Sequence, residues 1–476
     1  MLKYTSKIFT ITFLTGITKV FAVDNLFIPL NDFNFYNYNL NLSNLSSLGT
    51  TTLKPFTCEK AKVFLNKEIN YCKDPKFIKR VYEDIYYTSF ENTFSIIPEY
   101  TALKLAKGFN NFSTLEGDFS LHDVLNFQYQ LRYSNNSKTN EVNLFKATFS
   151  LKLDNTILTF GKDNIKVGPS KYGNLLSAVN PPYYQIRIQN LKPLEFHGLW
   201  DWLFMYGYLK EDRLDHSNPS LFFLRLDYKP NELLEIGINR MILFGGEGRP
   251  TYKFYEYPKV FIGTNETTGN RFDNDSYLGY DIKLNIPIDK VDTFQIYYEN
   301  NATDLESPLK KGDPKKLYFP LLIVKFHDNA HTLGLRVKKD KYYLNWEYTS
   351  TGKTMYINHN YPYEGLSYKG FILGYPYGRS VVHSFIEFGI IENEFSNFFE
   401  IGYLKQPVDI NTNIGLKDYY FKYRLIWAYN KKVSLSPYIK IDKFVNYNLS
   451  YLANQFDIIP GNKTAITTGV SILWNF

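Results

Sequence analysis

From residue 115 to the C-terminus, apolar and polar side chains alternate with a period of two through most of the sequence. Such alternation places successive side chains on opposite faces of a β-strand. The clearest example is 419–429, where aromatic and apolar side chains alternate with Lys422 and Arg424. The pattern predicts sixteen strands, near 119–133, 142–153, 156–163, 183–192, 195–210, 220–229, 232–244, 277–288, 292–301, 331–338, 341–350, 381–391, 396–405, 417–429, 431–442 and 464–476.

The predicted connections alternate strictly between short and long. The short ones are 154–155, 193–194, 230–231, 287–290, 339–340 and 430; the long ones include 164–182, 245–276, 302–330, 351–380 and 443–463. Short turns at one end and long loops at the other are typical of an outer-membrane β-barrel. A soluble sandwich or propeller does not require this alternation. The predicted fold is therefore an all-β, transmembrane, antiparallel barrel of about 16–18 strands over residues 109–476.

The last thirteen residues support a membrane barrel. In 464–476 one face is apolar or β-branched and ends in Trp474 and Phe476, while the other is mostly small or polar. Aromatic side chains of this kind lie at the lipid–water boundary of transmembrane strands. We also expect the terminal Phe476 to offer a contact for the barrel-assembly machinery.

The N-terminus predicts export. Lys3 and Lys7 precede a modest apolar run at 8–17, and Val20-Phe21-Ala22 offers small residues before a cleavage site, so residues 1–22 are interpreted as a signal peptide. A short buried strand or helix is the alternative. The remaining sequence has no run of about 18 uncharged apolar residues, so no spanning helix is expected. Together these features predict the outer membrane of a Gram-negative bacterium.

Residues 23–48 are rich in Asn, Ser and Leu and are interpreted as a polar leader. Residues 49–108 predict a small periplasmic α-helical domain. Asp74-Pro75 suits a helix start, and apolar side chains follow at helical spacing, at Phe77, Ile78, Val81 and Ile85.

The two cysteines, Cys58 and Cys72, both lie in this segment. Export brings them into an oxidising compartment, where a disulfide between them is expected; two free buried thiols are the alternative. On one straight helix they would lie roughly 21 Å apart, so the disulfide requires the chain to turn back between them. No His or Cys pair stands nearby, so no metal site is expected.

Composition fits a barrel and narrows the partners. Aromatic residues make up 18% of the chain, which suits the two aromatic girdles of a barrel or a sugar-binding surface. The formal charge of +7 includes three lysines of the signal peptide, Lys3, Lys7 and Lys19, which leaves +4 on the mature chain. That balance gives no case for nucleic acid as a partner.

Three long loops contain runs rich in glycine, proline and asparagine. The first run, 168–182, includes Gly168, Pro169, Asn180 and Pro181. The second, 244–250, directly follows a predicted strand and includes Gly245, Gly246, Glu247, Gly248 and Arg249. The third, 356–374, includes Asn358, His359, Gly365 and Gly370.

These ordered runs resemble the signature segments of the Wzi-type capsule assembly family, and residues 297–306 resemble a further family segment loosely. The resemblance spans roughly 115–400 and includes the last strand. It implies an eighteen-stranded barrel with a periplasmic helical bundle, whose lumen is obstructed by inward-folded loops, so that the protein is closer to a lectin than to an open pore. Two further strands are then expected in 95–118 or 302–330.

The residues themselves allow few chemistries. The run 245–250 lacks the Gly-Lys-Ser/Thr ending of a phosphate loop; we expect a tight turn that directs Glu247 and Arg249 into the lumen as a structural plug, with direct ligand contact as the alternative. His359 stands apart from other metal-binding residues and is interpreted as a hydrogen-bonded structural residue rather than a metal ligand. Asp304 and Glu306 do not make a recognisable glycosidase pair.

The candidate sugar contacts are exposed tyrosines, which can stack on sugar rings, and lysines that can attract an anionic polymer. They are Tyr252, Tyr255, Tyr257, Tyr361, Tyr363, Lys310 and Lys311. Alternatively, the tyrosines belong to the girdle or pack the loops, and the lysines form a solvated loop.

The predicted function is non-enzymatic binding of surface polysaccharide in capsule or exopolysaccharide assembly, through many weak contacts strengthened by avidity. Membrane lipid is the second partner, and no cofactor or metal is expected. A diffusion porin is the alternative, and it requires an open lumen and measurable conductance. An outer-membrane enzyme requires a catalytic constellation that the sequence does not display.

Overall fold

The computed structural model describes residues 53–54, 76–89, 105–121, 124–177, 179–262, 271–306, 325–392, 394–407, 415–430, 432–448 and 458–476. Within them, eighteen antiparallel strands form one closed barrel. In chain order, β1 to β18 are Arg80–Thr88, Gly108–Leu121, Leu125–Asn135, Asn140–Leu153, Thr156–Asp163, Tyr183–Asn190, Leu199–Tyr208, Ser220–Lys229, Leu234–Phe244, Asp275–Asn285, Thr293–Glu306, Lys325–Lys339, Tyr342–Thr351, Val382–Ile391, Phe395–Pro407, Gly415–Ala428, Val433–Asn448 and Ile458–Asn475. A two-residue extension of β6, Leu194–Glu195, also pairs with β7.

The first and last strands close the barrel. Arg80 of β1 is in register with Asn475 of β18 on one side and with Glu116 of β2 on the other. The amide of Phe476 donates a hydrogen bond to the Lys79 carbonyl at 3.0 Å, and the Lys76 ammonium donates to the Phe476 carbonyl at 2.7 Å. The final strand is therefore formed as predicted, but its partner β1 was not predicted.

Residues 80–88 correct one prediction. They form a strand, not the helix inferred from the spacing of Val81 and Ile85. A spacing of four residues fits a helical repeat, but it also fits a period of two, because four is even. The barrel consequently begins at Arg80 rather than at 109. Leu53–Lys54 is a short strand too. The signal peptide, the polar leader, Cys58, Cys72 and most of the predicted helical domain lie outside the described residues.

The predicted number of strands was too low for a second reason, which lies near residue 120. The sequence predicted one strand over 119–133, whereas β2 ends at Leu121 and β3 begins at Leu125. Leu121 and Leu125 are partners in register, and because they are an even number of positions apart in sequence, the alternation stays in phase through the hairpin. The strand β2 confirms the expectation of another strand in 95–118; the second extra strand is β1, outside both expected segments.

The connections define two ends of the barrel, called here the short-turn end and the long-loop end. The chain passes alternately from one to the other, and the long loops 164–182, 245–274 and 352–381 all lie at the long-loop end. They are called the first, second and third motif loops. The predicted strict alternation does not hold throughout. At the long-loop end, β3 and β4 are joined by only 136–139, and the connection 408–414 is no longer than 286–292 at the short-turn end.

The outer wall is apolar and has aromatic side chains near both ends. Exposed outward aromatics near the long-loop end include Tyr87, Phe109, Tyr184, Tyr208 and Tyr419, and those near the short-turn end include Phe119, Phe196, Tyr342, Phe388 and Phe395. Two girdles with an apolar band between them are the arrangement found in outer-membrane barrels. Among the described residues, none of the helices has the length and apolar character needed to cross a membrane.

A hydrophobic core lies inside the barrel. The wall contributes buried side chains that include Leu203, Leu221, Met241, Tyr277, Phe385 and Tyr420. The first motif loop contributes Tyr172, Leu175 and Leu176, and the third contributes Met355, Tyr356, Leu366 and Tyr375. Because each fully buried large apolar side chain contributes roughly 1.5–3 kcal/mol, these two loops are held firmly in the lumen.

The second motif loop lies instead against the outside of the wall. Phe222 and Phe244 face outward, on the opposite side from lumen-facing neighbours such as Phe223, yet both are buried. The short helix α1, Tyr257–Ile262, covers them, and the Arg240 side chain donates to the carbonyl of Phe261 at 2.9 Å. This part of the wall is therefore shielded by protein.

Candidate functional site

The first motif loop is fastened to the barrel wall by Glu299 of β11. The Ser170 hydroxyl donates to Glu299 Oε2 at 2.6 Å, and the Asn174 amide donates to Glu299 Oε1 at 2.7 Å. Gly168 has a φ of +85°, and a Cβ there would lie 2.3 Å from Glu299 Oε2. Glycine is thus required for the loop to approach this carboxylate.

Lys171 fastens the same loop to the neighbouring strands β13, β14 and β15. Its side chain is 4% exposed, and its ammonium lies 2.6 Å from Glu400 Oε2 and also pairs with Glu387. Its backbone amide donates to Glu347 Oε1 at 2.7 Å. The ammonium of Lys422 lies 3.0 Å from Glu400. Charges buried in this way require paired partners, and the lumen wall supplies them.

Residues near the loosely matching segment 297–306 complete the fastening. The Tyr297 hydroxyl donates to Glu347 Oε1 at 2.6 Å. The Arg336 guanidinium lies 5.0 Å from the centre of the Tyr297 ring and donates to the Pro169 carbonyl at 3.4 Å. Sequence reasoning noticed the segment but missed the role of Glu299, and it did not single out Glu347, Glu387 or Glu400.

The first and third motif loops also bind each other inside the barrel. The Leu176 amide donates to the Leu373 carbonyl at 2.8 Å, and the Tyr356 hydroxyl donates to the Asn174 carbonyl at 2.7 Å. Burial raises the pKa of Tyr356 above its usual range, so the hydroxyl stays protonated. The two loops therefore form one plug, here called the lumen plug, made of residues 164–177, 179–182 and 352–381.

A short strand extends the lumen plug. Lys166–Val167 pairs antiparallel with Leu53–Lys54, so a segment N-terminal to the barrel reaches the buried first motif loop. The Lys166 ammonium donates to the Gly168 carbonyl at 3.0 Å and to the Ser170 carbonyl at 2.5 Å. Burial lowers the pKa of Lys166 to about 8.

The second motif loop forms the predicted tight turn, with positive φ at Gly245, Gly246 and Gly248. Arg249 donates to Asn360 Oδ1 at 2.7 Å, and its guanidinium lies 5.7 Å from the centre of the Tyr361 ring, so it connects the second loop to the third. Glu247 does not enter the lumen: it is exposed to solvent, because the turn follows the outer rim. It accepts a hydrogen bond from Asn218 at 3.0 Å.

His359 has a carboxylate partner. Its Nε2 lies 2.8 Å from Asp273 Oδ2, and the side chain is 48% exposed. In the part of the chain that the structure describes, no group of three or more His, Cys, Asp or Glu side chains is placed to hold a metal ion. Asn358 forms an isolated bridge with Tyr361, and Gly365 and Gly370 adopt positive φ values of 57° and 73° that suit tight turns.

The five candidate tyrosines lie in three different environments. Tyr361 is buried in the lumen plug, whereas Tyr252 and Tyr257 pack on the aromatic cluster of the outer wall. Only Tyr255 and Tyr363 are well exposed, at 66% and 52%. Lys310 and Lys311 lie outside the described residues. Asn180 and Pro181 are buried within the first motif loop. The structure does not bring the five candidate tyrosines onto one surface.

A cleft at the long-loop end was not predicted. Its cavity of about 420 Å³ is lined by residues of β2 to β5 and of the first and third motif loops. Its lining combines aromatic and proline side chains with four cationic side chains and one carboxylate. These are Phe112, Phe145, Phe371, Pro181, Pro182, Arg132, Lys138, Lys162, Lys369 and Glu141. We call it the basic cleft.

The floor of the basic cleft is created by an irregularity in the sheet. Gln130 of β3 is in register with Lys146 of β4, but Leu131 is in register with Leu144, so Phe145 is an extra residue in a β-bulge. A bulge redirects a side chain. The Arg132 guanidinium lies 3.5 Å from the centre of the Phe145 ring, and Arg132 is 5% exposed. No sequence pattern reveals this bulge.

Comparison with known proteins agrees with this architecture. The sequence matches the family model described as capsule assembly protein Wzi over residues 90–397, more than half of the chain. A comparison with curated protein sequences gives no match. Among solved structures, the chain is similar to Wzi from Escherichia coli, an outer membrane protein involved in group 1 capsule assembly and a carbohydrate-binding β-barrel. The TM-score is 0.68 at 14% identity, covering 96% of this chain and 99% of that one.

Two Pseudomonas aeruginosa proteins have more distant likenesses. OccK3 (OpdO) has a TM-score of 0.50 at 8% identity, covering 84% of this chain and 94% of that one. The outer membrane protein OprD has a TM-score of 0.46 at 10% identity, covering 84% and 95%. At such low identities these likenesses concern the barrel fold alone.

Proposed function

This chain belongs to the Wzi capsule assembly family, and on that basis we propose that it binds surface polysaccharide and helps to assemble or attach a capsule. It is a β-barrel of the Gram-negative outer membrane, with lipid against its apolar wall. In such barrels the short turns are periplasmic and the long loops are extracellular. The motif loops and the basic cleft therefore face the cell exterior, where a capsule lies.

The observation that carries the proposal is the filled lumen. Tyr172, Leu175 and Tyr356 are buried at the centre of the barrel, and Lys171 is paired with acids on the wall. A diffusion porin needs a wide, water-filled path lined by polar groups. A lumen closed by a hydrophobic core instead makes the outer face a fixed surface, and a fixed surface favours binding by lowering the ordering cost.

We propose a binding role rather than a catalytic one, because a repeating polymer can be held by many weak contacts at once. The exposed tyrosines Tyr255 and Tyr363 remain proposed contacts of this kind. The exposed C-terminal Phe476 is likewise proposed as a contact for the barrel-assembly machinery, since it ends the last strand.

Two measurements on the full-length protein test the proposal. In a planar bilayer we expect near-zero conductance, and on immobilised capsule from the host cell we expect retention. Deletion of the gene should shift polysaccharide from the cell-attached to the shed fraction. An ion current that scales with salt would support the porin instead, and an unchanged attached fraction would refute the capsule role.

A further inference from the structure

We propose that the basic cleft binds an acidic sugar unit of the polysaccharide, a uronic acid whose carboxylate meets the cationic side chains and whose ring lies against the aromatic floor. This inference rests on the proposed function and adds to it the chemical class of the ligand. The volume of about 420 Å³ is within the range of small-molecule sites, roughly 300–1,000 Å³.

The charge of the cleft favours an anion. Four cationic side chains, Arg132, Lys138, Lys162 and Lys369, line it with one carboxylate, Glu141. Lys162 lies within electrostatic range of both Arg132 and Lys369. Like charges gathered in a concave site with low-dielectric walls focus a positive potential and concentrate anions. A bound carboxylate adds a negative charge beside these cations, whereas a neutral sugar does not.

The floor of the cleft suits a sugar ring bearing a carboxylate. Arginine recognises carboxylates through a planar fork of donors, and the Arg132 guanidinium is oriented by stacking on Phe145, 3.5 Å from the ring centre. Its Nε donates to Thr114 Oγ1 at 3.3 Å, which also restricts its rotation. Phe145 and Phe371 supply apolar surface against which the C–H face of a pyranose packs.

The cationic rim is held in place by its backbone. Asn136 Oδ1 accepts hydrogen bonds at 2.9 Å from the amides of Lys138 and Thr139, a local turn that fixes the short β3–β4 connection. On the opposite rim, the Lys369 amide donates to a Glu211 carboxylate oxygen. Such preorganisation reduces the free energy lost when a ligand is ordered.

The position of the cleft distinguishes a polysaccharide from a lipid headgroup. Arg132 lies on the lumen side of β3, while its neighbour Leu131 faces outward and is exposed on the wall. Two further walls come from the lumen plug, through Pro181 and Lys369. A lipid phosphate that remains in the bilayer would have to cross the rim to enter. A flexible polymer at the cell surface reaches the cleft from the long-loop end.

The experiment compares two matched ligands. Oligosaccharides of polyglucuronic acid and the same oligosaccharides after chemical reduction of their carboxyl groups share linkage and length and differ in charge. Dissociation constants are measured by calorimetry on the full-length protein in detergent, at two salt concentrations. We expect the acidic ligand to bind at least about tenfold more tightly, the equivalent of one hydrogen bond to a charged group, and to weaken as salt rises.

Variants locate the effect. The double variant Lys138→Glu with Lys369→Glu should remove the preference for the acidic ligand. The matched control, Lys253→Glu with Lys259→Glu in the second motif loop, should keep it. Phe371→Ala should weaken both ligands equally, because stacking of a sugar on this ring does not depend on the carboxylate. Retention of the heat-modifiable gel mobility of a closed barrel confirms that each variant is folded.

Three results would overturn the inference: equal affinity for the two ligands, an equal loss of affinity in the control variant, or no binding of either ligand. The proposed function fails separately, when the wild-type protein does not retain host capsule and gene deletion leaves the attached fraction unchanged. Equal affinity for acidic and reduced ligands, combined with retention of host capsule, removes the charge preference and leaves the binding role.

Discussion

Replacement of Lys171 by methionine should destabilise the lumen plug while leaving the barrel closed. The substitution keeps the length and apolar part of the side chain and removes the charge that pairs with Glu387 and Glu400. Removing one partner of a buried ion pair costs about 3–5 kcal/mol. Glu400 retains Lys422 at 3.0 Å and accepts from Tyr420 at 2.9 Å, so the lower end of that range applies.

About 3 kcal/mol corresponds to roughly a hundredfold increase in the ratio of undocked to docked plug. The wild-type protein should give a flat current trace in a planar bilayer, and Lys171→Met should give brief openings whose frequency rises in that proportion. Lys353→Met, an identical substitution at an exposed position of the third motif loop, is the control and should give the wild-type trace. The double variant Lys171→Met with Glu387→Gln should open less often than the single variant, because the second substitution removes the buried negative charge of Glu387.

A silent Lys171→Met variant that is folded and inserted would refute the reasoning, because it would mean that the apolar contacts of the lumen plug hold it without the ion pairs. Equal openings in Lys353→Met would also refute it, because the effect would then come from any loss of charge in the loops. Openings in the wild type at the same frequency would contradict the closed lumen itself.

Three further predictions concern other contacts. Gly168→Ala places a Cβ against the Glu299 carboxylate and should expose the first motif loop to trypsin. Gly245→Ala has nothing within 4 Å of the new Cβ and carries only the cost of its positive φ. In this control the first motif loop should resist trypsin nearly as well as in the wild type. Phe261→Ser should weaken the packing of α1 against the wall and speed trypsin cleavage of the second motif loop. Tyr255→Ser, at an exposed neighbouring position, should not. Burial lowers the pKa of Lys166 to about 8 from 10.5, so an undocked plug binds more protons than a docked one between those pH values. Docking should therefore strengthen as pH rises through them, by at most about 1.4 kcal/mol per pH unit. The measurement is the closed dwell time of Lys171→Met, and Lys171→Met with Lys166→Met should lack this slope.

The strands were largely predictable because the lumen and lipid faces differ in polarity over most of the wall. The predicted limits 156–163 and 220–229 coincide with β5 and β8. Errors arose where the pattern carries no phase information, as in the hairpin after Leu121, whose turn preserves the alternation. Neither a spacing of four nor a turn of three can be resolved from polarity alone.

The site was less predictable, for a different reason. The motif loops were recognised, but the residues that hold them are far away in sequence: Asn174 and Glu299 are separated by 125 positions. A single glutamate on the lumen face of a strand looks the same in sequence whether it binds a plug or faces water. Tyr361 was a candidate sugar contact, with packing of the loops as the alternative, and it follows the alternative because it is buried in the core of the lumen plug.

The first motif loop links the two features of the long-loop end. Its residues Gly168 to Asn174 are fastened to acids on the wall, and seven and eight residues after Asn174, Pro181 and Pro182 line the basic cleft. Proline restricts backbone rotation, so we expect a displacement of the fastened segment to displace Pro181 and Pro182 as well. The lumen plug therefore holds in position the residues that it contributes to the basic cleft. A variant that releases the plug should lose polysaccharide affinity together with its closed lumen, even though Lys171 is not among the residues that line the cleft.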